Sequence, residues 1–298
     1  GSYDQGYQVI YNYEERFNND SWLKSSLGNK SVVSVAADSK GRLWILTLKD
    51  GLYFYNPSSE YFNKVEFNED IDITYAFVDK DDKVWLTSNK GVARFKVVGT
   101  SLKLEKDWPL FMPMAISQDK DGRIWVGTMG ESVYCISLDD QLRTMKTVSA
   151  PFTFTPYCLP LNDGTVLSAS FDQGLSLIDG AQNHVRQLAI PQSMWDECIE
   201  RSVFVPCCMH QTSDGIVWIG TLANGLLKFD LTTNTLSKVP GAPCLDITSI
   251  EEDANGTLWI STQYGLGKFD RTTGDFTNWF ADDGIGGNQF YDRASCTL

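Results

Sequence analysis

Short apolar runs alternate with tight polar clusters along almost the whole chain. In the first clear set, "VVSVAAD", "LWILT", "GLYFYN" and "FNKVEF" are rich in β-branched and aromatic residues and bounded by Gly, Asp, Asn and Lys. Runs of this length and composition predict β-strands separated by turns. No long window places apolar residues at i, i+3 and i+4, so a helical solenoid is rejected. The set recurs as "KGRLWILTLKDGLYFYN" from Lys40, "DDKVWLTSNKGVARFK" from Asp81 and "DGRIWVGTMGESVYCIS" from Asp121. Two further copies are "DGIVWIGTLANGLLKFD" from Asp214 and "NGTLWISTQYGLGKFD" from Asn255.

The tryptophans that mark these copies, Trp44, Trp85, Trp125, Trp218 and Trp259, stand 41, 40, 93 and 41 residues apart. The long gap holds a degenerate copy, "NDGTVLSASFDQGLSLID" from Asn162, with Leu167 in the tryptophan position and an insertion around "PQSMWDECIERSVF". Four strands per repeat of about 40 residues predict the blade of a β-propeller. Six units are expected at 31–70, 71–111, 112–152, 153–202, 203–244 and 245–280. Three residues before the tryptophan position stands Gly41, Gly122, Gly164, Gly215 or Gly256, which suits a tight turn between first and second strands. Asp82 takes that place in the second copy and tolerates the same backbone region better than most residues.

The two ends extend the pattern. "DQGYQVIYN" aligns with "KDGLYFYN", which puts Gly6 in the place of Gly51, and "DDGIGGNQFYDRASCTL" aligns with "KSSLGNKSVVSVAAD". Residues 1–30 and 281–298 are therefore expected to share an incomplete seventh blade, so that the chain, 1–298, forms one seven-bladed all-β propeller of four-stranded antiparallel blades. Closing a ring terminus to terminus leaves few exposed strand edges. The second strand of that blade is missing, so the natural chain is expected to continue past Leu298.

Composition narrows the function. The formal charge of −13, with no basic cluster, argues against nucleic acid as a partner. The seven cysteines, Cys135, Cys158, Cys198, Cys207, Cys208, Cys244 and Cys296, are odd in number and show no CxxC or Cys/His ligand spacing. Most stand in apolar runs such as "PYCLP" and "VPCCMH" and read as buried thiols, which leaves the compartment open. No metal or cofactor is expected. No run of 18 apolar residues marks a membrane span.

The unit "D..G.(I/L)W(I/V)GT...GL..FD" is similar to the two-component regulator propeller repeat. "IWVGT" at 124–128, "VWIGTLANGLLKFD" at 217–230 and "LWISTQYGLGKFD" at 258–270 carry the resemblance. Departures are Leu167 for tryptophan, Asp82 for glycine, and Glu after Gly130. The resemblance implies a ligand-sensing domain of a bacterial hybrid two-component system, of the kind common in Bacteroides-like gut bacteria. In such receptors one or two seven-bladed propellers lie in the periplasm, followed by a β-sandwich, a transmembrane helix in the inner membrane and a histidine kinase. Known ligands are fragments of complex glycans. The implied partners are thus an oligosaccharide, the following β-sandwich with or without a second propeller, and a second copy in a dimeric parent, with any kinase activity outside this chain.

A propeller enzyme is the rival class. The acidic residues do not keep the spacing of sialidase Asp boxes, and no G-x-S-x-G is present. A lyase would need a histidine base, and only His184 and His210 are available. No catalytic residue is assigned. A purely structural interaction propeller is a third reading. Sugars bind through aromatic platforms flanked by polar groups. The five repeat tryptophans read as core, whereas Trp22, Trp108 and Trp195 lie in connections leading into the next inner strand. Trp195 also belongs to "MWDECIER" in the insertion, which offers Asp196, Glu197, Glu200 and Arg201 or else simply covers a blade. The loops between second and third strands vary most: "LKD", "SNK", "MGES", "FDQ", "LAN" and "QY". Their face is the expected ligand face, with Trp22, Trp108, Asp172, Trp195, Arg201, Asn224 and Tyr264 as candidate contacts.

Overall fold

A computed structural model describes residues 26–28, 30–67, 71–130, 132–146, 157–171, 174–199 and 204–296. Among them the sheets are six, each of four consecutive strands paired antiparallel in sequence order. Blade 1 comprises β1 (Val32–Ala37), β2 (Leu43–Thr47), β3 (Gly51–Asn56) and β4 (Tyr61–Lys64). Blade 2 comprises β5 (Ile73–Val78), β6 (Val84–Ser88), β7 (Gly91–Val98) and β8 (Ser101–Trp108). Blade 3 comprises β9 (Pro113–Gln118), β10 (Ile124–Thr128), β11 (Ser132–Ile136) and β12 (Leu142–Lys146). Blade 4 comprises β13 (Tyr157–Pro160), β14 (Val166–Ser170), β15 (Gly174–Asp179) and β16 (His184–Gln187). Blade 5 comprises β17 (Pro206–Gln211), β18 (Ile216–Thr221), β19 (Leu226–Asp230) and β20 (Thr235–Val239). Blade 6 comprises β21 (Ile247–Glu252), β22 (Leu258–Thr262), β23 (Gly265–Phe269) and β24 (Phe276–Trp279).

First strands pack on one another in succession, β1 on β5, β5 on β9, β9 on β13, β13 on β17 and β17 on β21, so they line a central channel. Both faces of each blade then meet a neighbour, which is why β2, β10 and β14 are buried at every position instead of alternating. Four repeat tryptophans fill the gap toward the next blade, and Trp259 of blade 6 packs on the cluster of Leu266, Ile285 and Phe290. Trp44 packs with Ala76, Val84 and Leu86, Trp85 with Ile116 and Ile124, and Trp218 with Ile250, Leu258 and Ile260. Trp125 meets Cys158, Val166 and Ile178. It also sits so close to Gly180 that a Cβ there would stand 2.7 Å from the indole, which demands glycine.

A buried indole N–H needs an acceptor. The repeat supplies one six residues upstream: Trp85 Nε1 donates to Asp79, Trp125 Nε1 to Asp119 and Trp259 Nε1 to Asp253, at 2.7, 2.8 and 3.1 Å. The other oxygen of each carboxylate accepts two backbone N–H groups of the turn that follows, as Asp119 does from Asp121 and Arg123. Thr212 replaces the acid for Trp218. In blade 4 tryptophan and acid are lost together, to Leu167 and Leu161, so no indole N–H is left to satisfy. In blade 1 Arg42 engages Asp38 and the Trp44 indole N–H is left without a partner. Asp82 holds the turn position of its missing glycine at φ 59°.

The seventh blade expected from the sequence is not formed as a sheet among the described residues. Residues 1–25, which include Gly6, lie outside them. From Ala281 the chain makes a 3-10 turn (Ala281–Asp283) and a single bridge at Phe290, not the expected first strand. The physical reason is pairing: a first strand is held by a second, and no second strand lies beside this segment among the described residues. The segment bonds to blade 6 instead, through Phe290 N–H to Thr262 O and Arg293 N–H to Thr248 O. It lies between blades 6 and 1, with Ile285 and Phe290 packed beside Leu266 and Cys296 against the cluster of Leu27 and Val32. Cys135, Cys158, Cys198, Cys207 and Cys208 are buried, Cys244 and Cys296 partly so, and all seven are free thiols.

Candidate functional site

In an up-and-down sheet the 2–3 turns and the connections between blades emerge at the same end. At that end of the channel lies a cavity of about 300 Å3, walled by Val33 and Leu48 of blade 1, Ile73 and Thr74 of blade 2, Gln263 of blade 6, and Tyr291, Asp292 and Arg293 of the C-terminal segment. Around it the same face exposes large apolar side chains: Leu48, Phe111, Met112, Leu222, Leu245 and Tyr264. Phe111 is 72% exposed and Tyr264 56%, the latter tilted against Phe280 with ring centroids 5.5 Å apart. A polar mouth inside an apolar rim suits a ligand with both kinds of surface.

Arg293 locks the C-terminal wall of this cavity. Its guanidinium lies 4.6 Å from the ring of Tyr75 on β5 and 4.8 Å from that of Tyr157 on β13, and its Nη1 donates to Met114 O on β9 at 2.7 Å. One side chain thus reaches three blades from inside the channel while its backbone bonds to a fourth. The hold is firm enough to keep Arg293 at φ 58°, a region that ordinary residues avoid. Burial pushes both phenols above their usual range, with the Arg293 charge opposing. Deeper in the channel Ser295 Oγ donates to Glu251.

Asp292 is placed differently. Asp292 is exposed, no hydrogen bond or ion pair engages its carboxylate among the described residues, and partial desolvation at the cavity wall pushes its pKa above the usual range, with Arg293 opposing and Asp246 adding to the rise. His210, on the inner strand β17, faces Glu252 at 3.1 Å, and Arg271 bridges Glu252 to Asp214. That network belongs to the opposite end, with the 1–2 turns. Among the described residues no group of three or more His, Cys, Asp or Glu is placed to hold a metal ion.

The sequence-derived candidates scatter. Trp22, Asp172 and Arg201 lie outside the described residues. Trp108 ends β8, buried and stacked on Trp85 with centroids 5.3 Å apart, its Nε1 donating to Asp140 O, so it presents no surface to a ligand. Asn224 is fully buried in the 2–3 turn of blade 5. Trp195 stands on a short helix, Gln192–Cys198, that packs on β20; its ring meets Phe204 edge-on and closes over Gly174. The insertion therefore covers blades 4 and 5. Tyr264 alone of the described candidates stands on the rim. Phe111, Gln263, Tyr291, Asp292 and Arg293 were missed; for Phe111 the signal was an aromatic inside a connection, "WPLFMPM".

Residues 26–49, 111–130 and 241–264 match the family described as two component regulator propeller. Each matched segment runs from the connection entering a blade to its 2–3 turn, and so begins and ends on the cavity face. No curated protein matches the chain. Among solved structures the chain is similar to virginiamycin B lyase from Staphylococcus aureus, with 15% identity, 84% of each chain covered and a TM-score of 0.69. It is also similar to the extracellular domain assigned to a hybrid two component system from B. thetaiotaomicron, with 17% identity, 95% of this chain and 38% of that chain covered, and a TM-score of 0.66. The chain thus spans well under half of that ectodomain. At these identities the likeness concerns the fold. No helix among the described residues is long and apolar enough to cross a membrane. The segments that match the family model fall in three of the six described blades, the first, third and sixth.

Proposed function

We propose that this propeller is the periplasmic ligand-sensing domain of a hybrid two-component sensor, and that it binds a glycan-derived oligosaccharide at the channel mouth. The observation that carries the reading is the match of three segments to the two component regulator propeller family, each delivering its ends to the cavity face. Phe111 and Tyr264 offer stacking surfaces for the C–H faces of sugar rings, and Thr74, Gln263, Tyr291 and Asp292 offer polar partners for hydroxyls. Kinase activity, the β-sandwich, any second propeller and dimerisation belong to the parent receptor.

The test is a panel of plant and bacterial glycans screened by thermal shift and then by calorimetry. A cognate oligosaccharide should raise the melting temperature and leave the glycan intact. Phe111→Ala and Tyr264→Ala should each weaken it by roughly 1 to 3 kcal/mol, about five- to 150-fold, with the melting temperature nearly unchanged. Unchanged affinity in both variants would remove the site from this face. The lyase likeness favours an enzyme as the second reading, and new unsaturated or reducing ends in the same incubations would establish it instead.

A further inference from the structure

The titratable side chains that face the channel differ in how far they are engaged, Glu251 accepting from Ser295. His210 and Glu252 are closed on each other and on Arg271. Arg293 spends its charge on two tyrosine faces and a carbonyl. Asp292 is an exposed carboxylate at the cavity wall that makes no hydrogen bond or ion pair among the described residues, its pKa raised by partial desolvation with the Arg293 charge opposing and Asp246 adding to the rise. The Arg293 guanidinium on the same wall is turned to Tyr75, Tyr157 and Met114 O, so an anionic ligand would meet the Asp292 carboxylate and a chain of net charge −13, whereas an ammonium on Asp292 is favoured by both. The opposite wall of Val33, Leu48 and Ile73 suits a C–H face, and Thr74 and Gln263 can meet hydroxyls. The volume is at the small end of ligand pockets, so one ring enters and any further rings lie across the rim.

We propose that the channel-mouth cavity takes a hydroxyl-rich ring carrying a primary amine, such as an amino-sugar terminus, with its ammonium on Asp292 and its hydroxyls on Thr74 and Gln263. The proposal rests on the sensor reading above and names its ligand class. Because Asp292 adjoins the Arg293 lock, the same contact ties the ligand to the segment that threads the channel.

Glucosamine, glucose and N-acetylglucosamine serve as probes in calorimetry at pH 7. Glucosamine should bind at least about tenfold more tightly than either neutral sugar, and Asp292→Asn should bring the three to one level. The N-acetyl probe removes the charge without touching the protein, so the result does not hang on how the variant folds. Equal affinities in the wild type, or an amine preference that survives Asp292→Asn, would overturn the proposal. Neutral oligosaccharides that bind and respond to Phe111→Ala without any amine preference would overturn this proposal and leave the sensor reading standing. Absence of binding by any saccharide would overturn both.

Discussion

Removing the Arg293 side chain should loosen the C-terminal segment without unfolding the blades. Arg293→Ala deletes two cation–π contacts, each worth about 0.5 to 2 kcal/mol, and one hydrogen bond from a charged donor, worth about 1.5 to 3 kcal/mol. Against this stands the wild type's own cost: a buried Nε without an acceptor, about 1 to 3 kcal/mol. Taking the middle of each range, the net hold comes to about 3 kcal/mol, so the open state should become roughly 100-fold more populated. The amides of Phe290 and residue 293 report it directly, since they bond to Thr262 O and Thr248 O. Native-state hydrogen exchange should show both accelerating by that factor while amides of β6, β10 and β18 keep their protection. Arg293→Gly removes the same contacts but also relieves the positive φ, and should exchange about five- to tenfold more slowly than the alanine variant. Unchanged exchange at 290 and 293, or equal loosening of every blade, would refute the assignment of Arg293 as a local lock.

Asp119→Ala should orphan the Trp125 indole N–H and two turn N–H groups, costing about 3 kcal/mol or more and lowering the melting temperature by several degrees; an equal loss in a Trp125→Phe background would deny the coupling. Trp218→Ala should destabilise by roughly 3 to 5 kcal/mol in chemical denaturation, because the ring is buried between blades 5 and 6. The tie from Asp82 to the backbone and hydroxyl of Ser39 holds the Asp82 carboxyl below its usual range, the backbone bond contributing most. A depressed carboxylate contributes above its unfolded pKa and loses that contribution as pH falls through the folded value. The stability gap between wild type and Asp82→Asn should therefore be full at neutral pH and shrink on acidification, and a gap that grows instead would contradict the assignment.

The blades were legible because their signal is local and repeated. A tryptophan within an apolar run, with an acid six residues before it and glycine three before it, carries its strand, its turn and its hydrogen-bond partner in one short stretch. The seventh blade failed because strand pairing is not local. "GNQFYDRA" reads like "GNKSVVSVAAD", yet without a second strand beside it the segment takes its bonds from blade 6. The site was legible only in its face. Asn224 reads as a loop residue, but the 2–3 turn folds inward and buries it. Trp108 reads as a connection residue, but stacking on Trp85 keeps it in β8. Arg293 is a lone basic residue whose tyrosine partners lie well over 100 positions away, a separation no periodicity records.

Why the cavity end and not the opposite one should meet a ligand follows from where polar groups are already spent. At the 1–2 end, Asp38, Asp79, Asp119 and Asp253 accept the N–H groups of their own turns. Neighbouring blades are tied there as well, Ser39 to Asp82, Lys80 to Gln118, Asn162 to Gln211, and Arg271 to Asp214. A ligand at that end would have to compete with bonds the fold makes for itself, and a substitution there acts first on stability. At the cavity end Phe111 and Tyr264 stand in solvent and Asp292 makes no hydrogen bond among the described residues, so a ligand gains these contacts without breaking a bond, whereas Thr74 and Gln263, bonded to Thr87 and to Phe290 O, would share theirs.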